Sequence, residues 1–600
     1  MRLIQLALIA TLALGQTAAA QDIADTVAPE GATQTGRVAL SPRAQAARAT
    51  RDAGRPVQAQ TWMIAAANPL AVEAGADILA AGGTAADAMV AVQAVLGLVE
   101  PQSSGLGGGA FLVWFDAETG SLTTLDGRET APLAATPRLF QNDAGEPLGF
   151  FDAVVGGLSV GTPGTPALME EAHRRWGRAN WRDLFDAAIG HAEGGFTVSP
   201  RLADLVADDA ERLGRFAATA AYFLPGGTPI AAGERLRNPA YGQTLRAMAA
   251  QGARALYHGP IAEGIVATVR AAEGRPGLLS LDDLARYRVI ERAPVCINYR
   301  AHEVCGMGPP SSGALSVGQI LGMLEAFDLA ALGPDSLEAW RLIGDASRLA
   351  FADRGRYIAD SDFVPVPTRG LVSPDYLASR ADLLRGDDAL RQVTAGEPPW
   401  DHARLWADDM AIELPSTSHI SIVDQYGNAL SMTTTIENGF GSRLMAPGGF
   451  LLNNEMTDFS FRTHQDGYPI ANRVEPGKRP RSSMAPTIVL RDGAPVLVIG
   501  SPGGSRIIGY VAQAIIAHLD WGMDVQQAVA MPHLVNRFGT FDLETGTVAE
   551  ALQQGLADLG FDISLRDLNS GLHAVGLGDG LSSGLSGGAD PRREGIAIGG

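Results

Sequence analysis

The reading of this chain turns on Pro415-Ser416-Thr417-Ser418-His419-Ile420-Ser421-Ile422-Val423-Asp424-Gln425-Tyr426-Gly427-Asn428-Ala429-Leu430-Ser431-Met432-Thr433-Thr434-Thr435. Two β-rich runs flank Gln-Tyr-Gly-Asn, the pattern of a hairpin. A three-residue loop, Gln425 to Gly427, suits a type I turn followed by glycine in the left-handed conformation. That register sets Asp424 opposite Asn428 and, counting outward, Thr417 opposite Thr435. Opposed residues share a face and lie close together, so a hydroxyl at the start of one strand meets a hydroxyl on the other. Taken alone, the pattern also suits a plain threonine-rich sheet, because threonine is β-branched and common in strands.

Three further motifs follow in order. They are Leu451-Leu452-Asn453-Asn454-Glu455-Met456-Thr457-Asp458-Phe459-Ser460, Arg481-Ser482-Ser483-Met484-Ala485-Pro486-Thr487 and Gly500-Ser501-Pro502-Gly503-Gly504-Ser505-Arg506. With Thr417 they resemble the γ-glutamyltransferase (glutathione hydrolase) family of N-terminal-nucleophile hydrolases, which cut themselves in front of a threonine. The resemblance runs from about residue 63 to Gly600 and takes in the closing Gly587-Gly588-Ala589-Asp590-Pro591-Arg592-Arg593-Glu594-Gly595. It implies an α/β fold, a four-layer αββα sandwich, and an enzyme that needs no cofactor and no metal. It also implies cleavage between Ser416 and Thr417, into pieces 21–416 (a leader, 21–62, and a large subunit, 63–416) and 417–600 that stay together as a heterodimer. Neither piece alone has enough chain to bury both faces of so long a sheet.

A threonine at a new amino terminus explains the chemistry. A hydroxyl is a poor nucleophile until a nearby base takes its proton. A free α-amine, with a reference pKa near 8, lies within one residue of its own hydroxyl. Thr417 thus supplies nucleophile and base, and the Thr435 hydroxyl orients the first. Gly503 and Gly504 fall between the strand-like Val496-Leu497-Val498-Ile499 and a helix expected from Arg506, a place where bare backbone amides suit an oxyanion hole. By resemblance the substrate is a small-molecule γ-glutamyl amide such as glutathione, and the glutamyl group passes to water or to an amino-acid or peptide acceptor. Arg128, Ser482 and Ser483 would then hold the α-carboxylate, and Glu455, Asp458 and Glu437 the α-ammonium. Position 437 often carries asparagine in the family, so Glu437 makes this pocket more acidic. The linker Phe459–Arg481, which includes Tyr468, falls where some relatives build a lid. Without the resemblance, Arg128 reads as an ion-pairing surface arginine. Two rivals stand beside this reading. A cephalosporin or glutaryl acylase of the same fold would keep Thr417 but lose the ammonium-binding acids, and Asp458 is retained. An exported binding protein of the same fold would have no reason to split before Thr417.

Upstream, residues 1–20 carry a basic start at Arg2, an apolar run and Ala18-Ala19-Ala20, which predicts a secretory signal peptide and a periplasmic or secreted protein. No later run reaches the roughly 18 apolar residues of a membrane span. Residues 21–62 lack periodicity and are expected to be a mobile leader, with structure beginning near Met63. Asn68-Pro69 should start a helix that Gly82-Gly83 stops, and Thr84 with Asp87 forms a capping box for the next, which ends near Pro101. The glycine-rich Gly105-Leu106-Gly107-Gly108-Gly109 precedes a strand, not a helix, and no Lys-Ser/Thr follows, so it is not a phosphate loop. Gly157-Leu158-Ser159-Val160-Gly161 fits the nucleophile-elbow pattern, but Gly161-Thr162-Pro163-Gly164-Thr165-Pro166 delays any helix, which makes it a structural turn. Residues 167–290 read as mostly helical, and none of the 10 histidines shows the spacing of a zinc helix. The chain's 2 cysteines, Cys296 and Cys305, fall opposite each other if Arg300-Ala301 forms a two-residue hairpin loop, and export favours a disulfide. From Tyr357 to Ser416, prolines punctuate polar sequence, as in a tail able to leave once the chain is cut. The formal charge is −20, about −21 without the leader, and no basic stripe with interleaved aromatics suggests nucleic acid or an anionic membrane as a partner.

Overall fold

A computed structural model describes residues 40–402, 405–409, 411, 413–578 and 584–600. The expected signal peptide and residues 21–39 lie outside the described residues. Strands Ser418–Val423 and Ala429–Thr435 pair antiparallel in the register expected, Ser418 opposite Thr434 through to Val423 opposite Ala429. The turn closes with Asp424 N–H donating to Asn428 O at 3.0 Å, Gly427 is left-handed at φ 87°, and the Asp424 carboxylate accepts the amides of Tyr426 and Asn428.

This hairpin lies at the centre of a seven-stranded sheet. Met63–Ala66 and then Ile596–Gly599 lie on one side of it; Gly109–Asp116, Ser121–Gly127 and Ile290–Arg292 lie on the other. A second seven-stranded sheet runs Val57–Ala59, Leu585–Ala589, His573–Leu577, Ala494–Gly500, Thr487–Arg491, His302–Gly306, Val295–Tyr299. Strand alternation sends side chains to opposite faces. Ile420, Ile422, Leu430 and Met432 therefore pack on the helices Pro69–Ala80 and Ala85–Val99, while Val423, Ala429, Met63 and Val113 meet Ile488, Val498 and Val575 of the second sheet. The far face of that sheet, with Ile297, Val489, Leu497 and Ile499, is covered by Gly313–Leu324, Leu337–Tyr357 and Ile507–Leu519. Helices, sheet, sheet, helices: the four-layer αββα sandwich is the fold.

The caps are as expected. Asn68 caps the first of the alanine-rich helices, and Thr84 and Asp87 form the capping box of the second. The glycine-rich loop has a packing role. A Cβ on Gly107 would lie 2.0 Å from Leu451 O and one on Gly108 would lie 1.9 Å from Thr435 O, so backbone passes directly against backbone at the end of the central strand. Ser159 is buried in a single tight turn, its hydroxyl donating to Val154 O at 2.6 Å, and the next helix begins only at Thr165. Cys296 and Cys305 face each other across the Val295–Tyr299/His302–Gly306 hairpin with Cα atoms 4.1 Å apart, and their sulfurs are joined. They belong, with Glu303, to the one close group of potential metal ligands found among the described residues, and the bond uses both sulfurs.

The leader is a correction. Pro42–Asp52 is a helix capped by Ser41, and Val57–Ala59 is an edge strand paired with Leu585–Ala589. Ordered chain thus begins well before Met63. The helix buries Ala44, Ala47 and the polar Arg51, which leave no apolar periodicity to read. What holds it is distant in sequence: the Arg51 guanidinium donates to Arg593 O at 3.0 Å and Gly595 O at 2.6 Å. Among the described residues no helix is long and apolar enough to cross a membrane.

Candidate active site

Thr417 sits one residue before the central strand and is 3% exposed. Its Oγ1 contacts the carbonyl oxygen of Ser416 and lies 3.2 Å from Thr435 Oγ1. Thr435 Oγ1 donates to the same Ser416 carbonyl at 2.9 Å and accepts the amide of Glu437 at 2.9 Å. The peptide is gripped on both sides, because Ser416 Oγ donates to Gln102 O at 2.7 Å and Arg593 Nη1 donates to Thr417 O at 3.1 Å. A hydroxyl poised on the preceding carbonyl, with a second hydroxyl polarising that carbonyl, is suited to attack on the Ser416–Thr417 bond.

The sequence-identified binding residues converge on the same place. Arg128, Glu437, Glu455, Asp458, Ser482, Ser483 and Gly504 line one cavity with Thr417 and Thr435. Gly503 flanks it, at φ 136°, between the strand Ala494–Gly500 and the helix Ile507–Leu519. Arg128 is no surface residue: it is 1% exposed and ion-paired to both Glu455 and Asp458, and it donates to Pro480 O and Arg481 O. Sequence alone missed this because its partners lie more than 300 positions away. Burial disfavours the guanidinium charge, but Glu455 and Asp458 more than offset it and hold Arg128 above its ordinary range. Burial pushes the Glu437, Glu455 and Asp458 carboxyls well up, and that of Glu129 up to about 8.

The cavity is nearly full. Its water-accessible volume is about 20 Å³, room for about one or two waters and far less than a substrate. The chain just before the cleavage point fills it, so the expected departing tail is seated in the site while the chain is intact. Glu413 pairs with Arg354 and accepts the Ser483 hydroxyl, Arg354 Nη2 donates to Ser483 Oγ at 3.0 Å, and Leu414 N–H donates to Glu437 Oε1 at 3.0 Å. A Cβ on Gly504 would lie 2.5 Å from Glu413 O, and Ser505 N–H donates to that oxygen at 3.2 Å. Glu413, Arg354, Asn454 and Arg593 are site residues that sequence reading did not single out. Arg593 stood within the closing motif, and Asn454 within the Asn453-Asn454-Glu455 run, so a signal was present for those two. Of the Phe459–Arg481 segment, no residue lines the cavity; it carries a small hairpin, His464–Gln465 with Tyr468–Pro469, whose Tyr468 is 48% exposed.

A threonine at the head of the central strand of an αββα sandwich, its hydroxyl on the preceding carbonyl, defines an N-terminal-nucleophile hydrolase. The family described as Gamma-glutamyltranspeptidase matches residues 71–600, and the chain belongs to it. It is 37% identical to the glutathione hydrolase proenzyme of Bacillus subtilis (strain 168), over 90% of this chain and 91% of the relative. It is 35% identical to that of Escherichia coli (strain K12), over 90% and 92%. The acylase ACY 1 proenzyme of Pseudomonas sp. (strain SE83) is also 35% identical, over 85% and 88%. Among solved structures, the cephalosporin acylase of Bacillus halodurans superposes with a TM-score of 0.80 at 26% identity, over 91% of this chain and 97% of that one. Helicobacter pylori gamma-glutamyltranspeptidase gives 0.54 at 33% identity, over 56% and 96%. Family membership sets aside the binding-protein alternative.

Proposed function

We propose that this chain is an exported, self-processing γ-glutamyl hydrolase and transferase acting on glutathione-type amides. The observation that carries this reading is the Thr417–Thr435 pair on the Ser416 carbonyl, opening onto a pocket with a cation, Arg128, and several acids. In maturation the Thr417 hydroxyl oxygen attacks the Ser416 carbonyl carbon. A C–O bond forms, the C–N bond breaks, and the hydroxyl proton ends on the Thr417 nitrogen. Water then hydrolyses the ester, leaving a Ser416 carboxylate and a free Thr417 with hydroxyl and α-amine. The pieces remain a heterodimer.

In turnover the α-amine takes the Thr417 hydroxyl proton as that oxygen attacks the γ-carbonyl. The amides of Gly503 and Gly504 receive the developing negative charge. The same proton passes to the leaving amine, and a glutamyl ester remains. Water or an acceptor amine resolves it. Arg128, Ser482 and Ser483 hold the α-carboxylate; Glu455, Asp458 and Glu437 hold the α-ammonium. The acylase relative and the acylase structure keep a second reading in play, but a pocket lined by Glu437, Glu455 and Asp458 favours a cationic group over the bare methylene of a glutaryl substrate.

Intact mass and denaturing gels test the centre of this proposal. Wild-type protein should run as two chains split before Thr417, and Thr417→Ala as one inactive chain. A Thr417→Ala protein that still matures in a protease-deficient host and hydrolyses γ-glutamyl-p-nitroanilide would overturn it.

A further inference from the structure

Two buried guanidiniums take their counter-charges from the segment that the cut would set free. Arg354, on the helix Leu337–Tyr357, pairs with Glu413; Arg481, next to Ser482, pairs with Asp409 at 2.9 Å and approaches Glu413 at 3.8 Å. Both arginines are buried. Among the described residues, no carboxylate other than those of Asp409 and Glu413 forms an ion pair with either. Away from the tail their partners are neutral: Arg354 donates to Ser312 Oγ at 2.9 Å, and Arg481 Nη1 donates to Arg354 O at 3.3 Å. Arg481 Nε is buried with no hydrogen-bond partner among the described residues. Burial and then the neighbouring Arg481 push the Arg354 guanidinium down to about 10, and Glu413 and Asp409 are the charges that hold it up.

Asp409 sits in a formed seat. Its carboxylate also accepts Asn472 Nδ2 at 3.2 Å, and its N–H donates to Gly355 O at 3.0 Å. Because Asp409 and Glu413 both approach the Arg481 guanidinium, their two seats are neighbours. Departure of the segment ending at Ser416 removes both anions from a site shielded from water, and a buried charge left without its partner is costly. The glutamyl half of a substrate restores one anion, since its α-carboxylate takes Ser483, where the Glu413 carboxylate lies. That half carries no second carboxylate. Any other must come from the amine half. The leaving amine and the acceptor amine share one place, because aminolysis of the glutamyl ester retraces its formation.

We propose that Arg481 and Asn472 form a second carboxylate subsite in the cut enzyme, taken by the far carboxylate of the amine half, in the leaving peptide or in the acceptor. The subsite rests on the γ-glutamyl reading and on departure of the tail. It narrows the substrate class to γ-glutamyl compounds, and acceptors, with a free carboxylate on the amine half.

Asp409→Asn combined with Arg481→Met removes both charges of the pair, so the uncut chain keeps no stranded ion and should fold and mature. Asp409→Asn alone is the reference, because its altered residue leaves with the tail. Mature wild type and the reference should show a KM for γ-glutamyl-3-carboxy-4-nitroanilide about tenfold below that for γ-glutamyl-p-nitroanilide, and a KM for glycylglycine as acceptor about tenfold below that for glycylglycinamide. The first comparison reads the leaving half and the second the acceptor; a preference in one alone assigns the seat to that half. In the double variant the preferences should vanish, with kcat/KM on γ-glutamyl-p-nitroanilide within about twofold of wild type. A wild type with neither preference, or a double variant that keeps them, overturns the subsite. So does an Asp409→Asn enzyme whose KM values differ from wild type, since the tail would then still hold Arg481 after the cut. Should the double variant fail to fold, Asn472→Ala decides: it drops the neutral donor to the same carboxylate and should narrow each preference about threefold, and undiminished preferences overturn the subsite. A mature wild type inactive on both anilides overturns the γ-glutamyl reading itself, whereas activity without preference overturns the subsite alone.

Discussion

Asp458 and Glu455 already share Arg128 in the uncut chain, so the groups proposed for the substrate's two charges neutralise one another before any substrate arrives. Binding a zwitterionic glutamyl head then exchanges one set of buried ion pairs for another. Truncating one partner of such a desolvated set typically costs about 2–5 kcal/mol, because another charge is left unpaired. At about 1.36 kcal/mol per tenfold this is roughly 30- to several-thousand-fold in kcat/KM. Asp458→Asn keeps shape and an acceptor oxygen, so it should mature and hydrolyse γ-glutamyl-p-nitroanilide poorly while losing much less on glutaryl-p-nitroanilide. Equal losses on the two substrates would assign Asp458 a structural role. Arg128→Ala is the harsher change, since it strands Glu129, Glu455 and Asp458 together inside the protein.

Among the elements, the Val295–Tyr299/His302–Gly306 hairpin closes one edge of the second sheet, and Cys296–Cys305 ties its two strands. The bridge spans a sequence separation of 9, which on the chain-entropy relation limits its contribution to about 3 kcal/mol. Peptide mapping of the purified protein without reductant should recover the two cysteines in one linked species, and Cys296→Ser with Cys305→Ser should lower stability by no more than that amount. Free, alkylatable thiols at both positions in protein purified without reductant would contradict the pairing. The helix Pro42–Asp52 shows the opposite balance. It has a good cap at Ser41 but almost no apolar stripe, and its place is set by Arg51 reaching the carbonyls near the carboxyl end of the chain.

At the scale of the whole molecule, the two proposed pieces are woven together. The strand Met63–Ala66 lies between Ile596–Gly599 and Ser418–Val423, and Ala429–Thr435 pairs with Gly109–Asp116. In the second sheet Val57–Ala59 pairs with Leu585–Ala589 and His302–Gly306 with Thr487–Arg491. Pulling the pieces apart would open these ladders and expose the core between the sheets, where unpaired backbone groups and apolar surface are both costly. The mature pieces should therefore co-elute in gel filtration and separate only in denaturant. A mature sample that resolves into two folded species in plain buffer would show that the cut releases a subunit.

The sequence by itself determined the hairpin register, the opposition of Thr417 and Thr435, the caps of the first alanine-rich helices and the Cys296–Cys305 pairing. Each of these is local: a turn of known length, a period of two, or a cap three residues from its partner is decided by neighbours in the chain. Motif resemblance carried the four layers and most pocket residues. Only the tertiary structure decided that residues 42–59 are ordered, that Arg128 is buried among carboxylates, and that Glu413 and Leu414 fill the pocket ahead of the cut. Those facts rest on contacts between residues far apart in sequence, such as Arg51 with Gly595 or Arg354 with Glu413 and Ser483. Burial and charge pairing at that range depend on which surfaces the fold brings together, and no local pattern of residues records it.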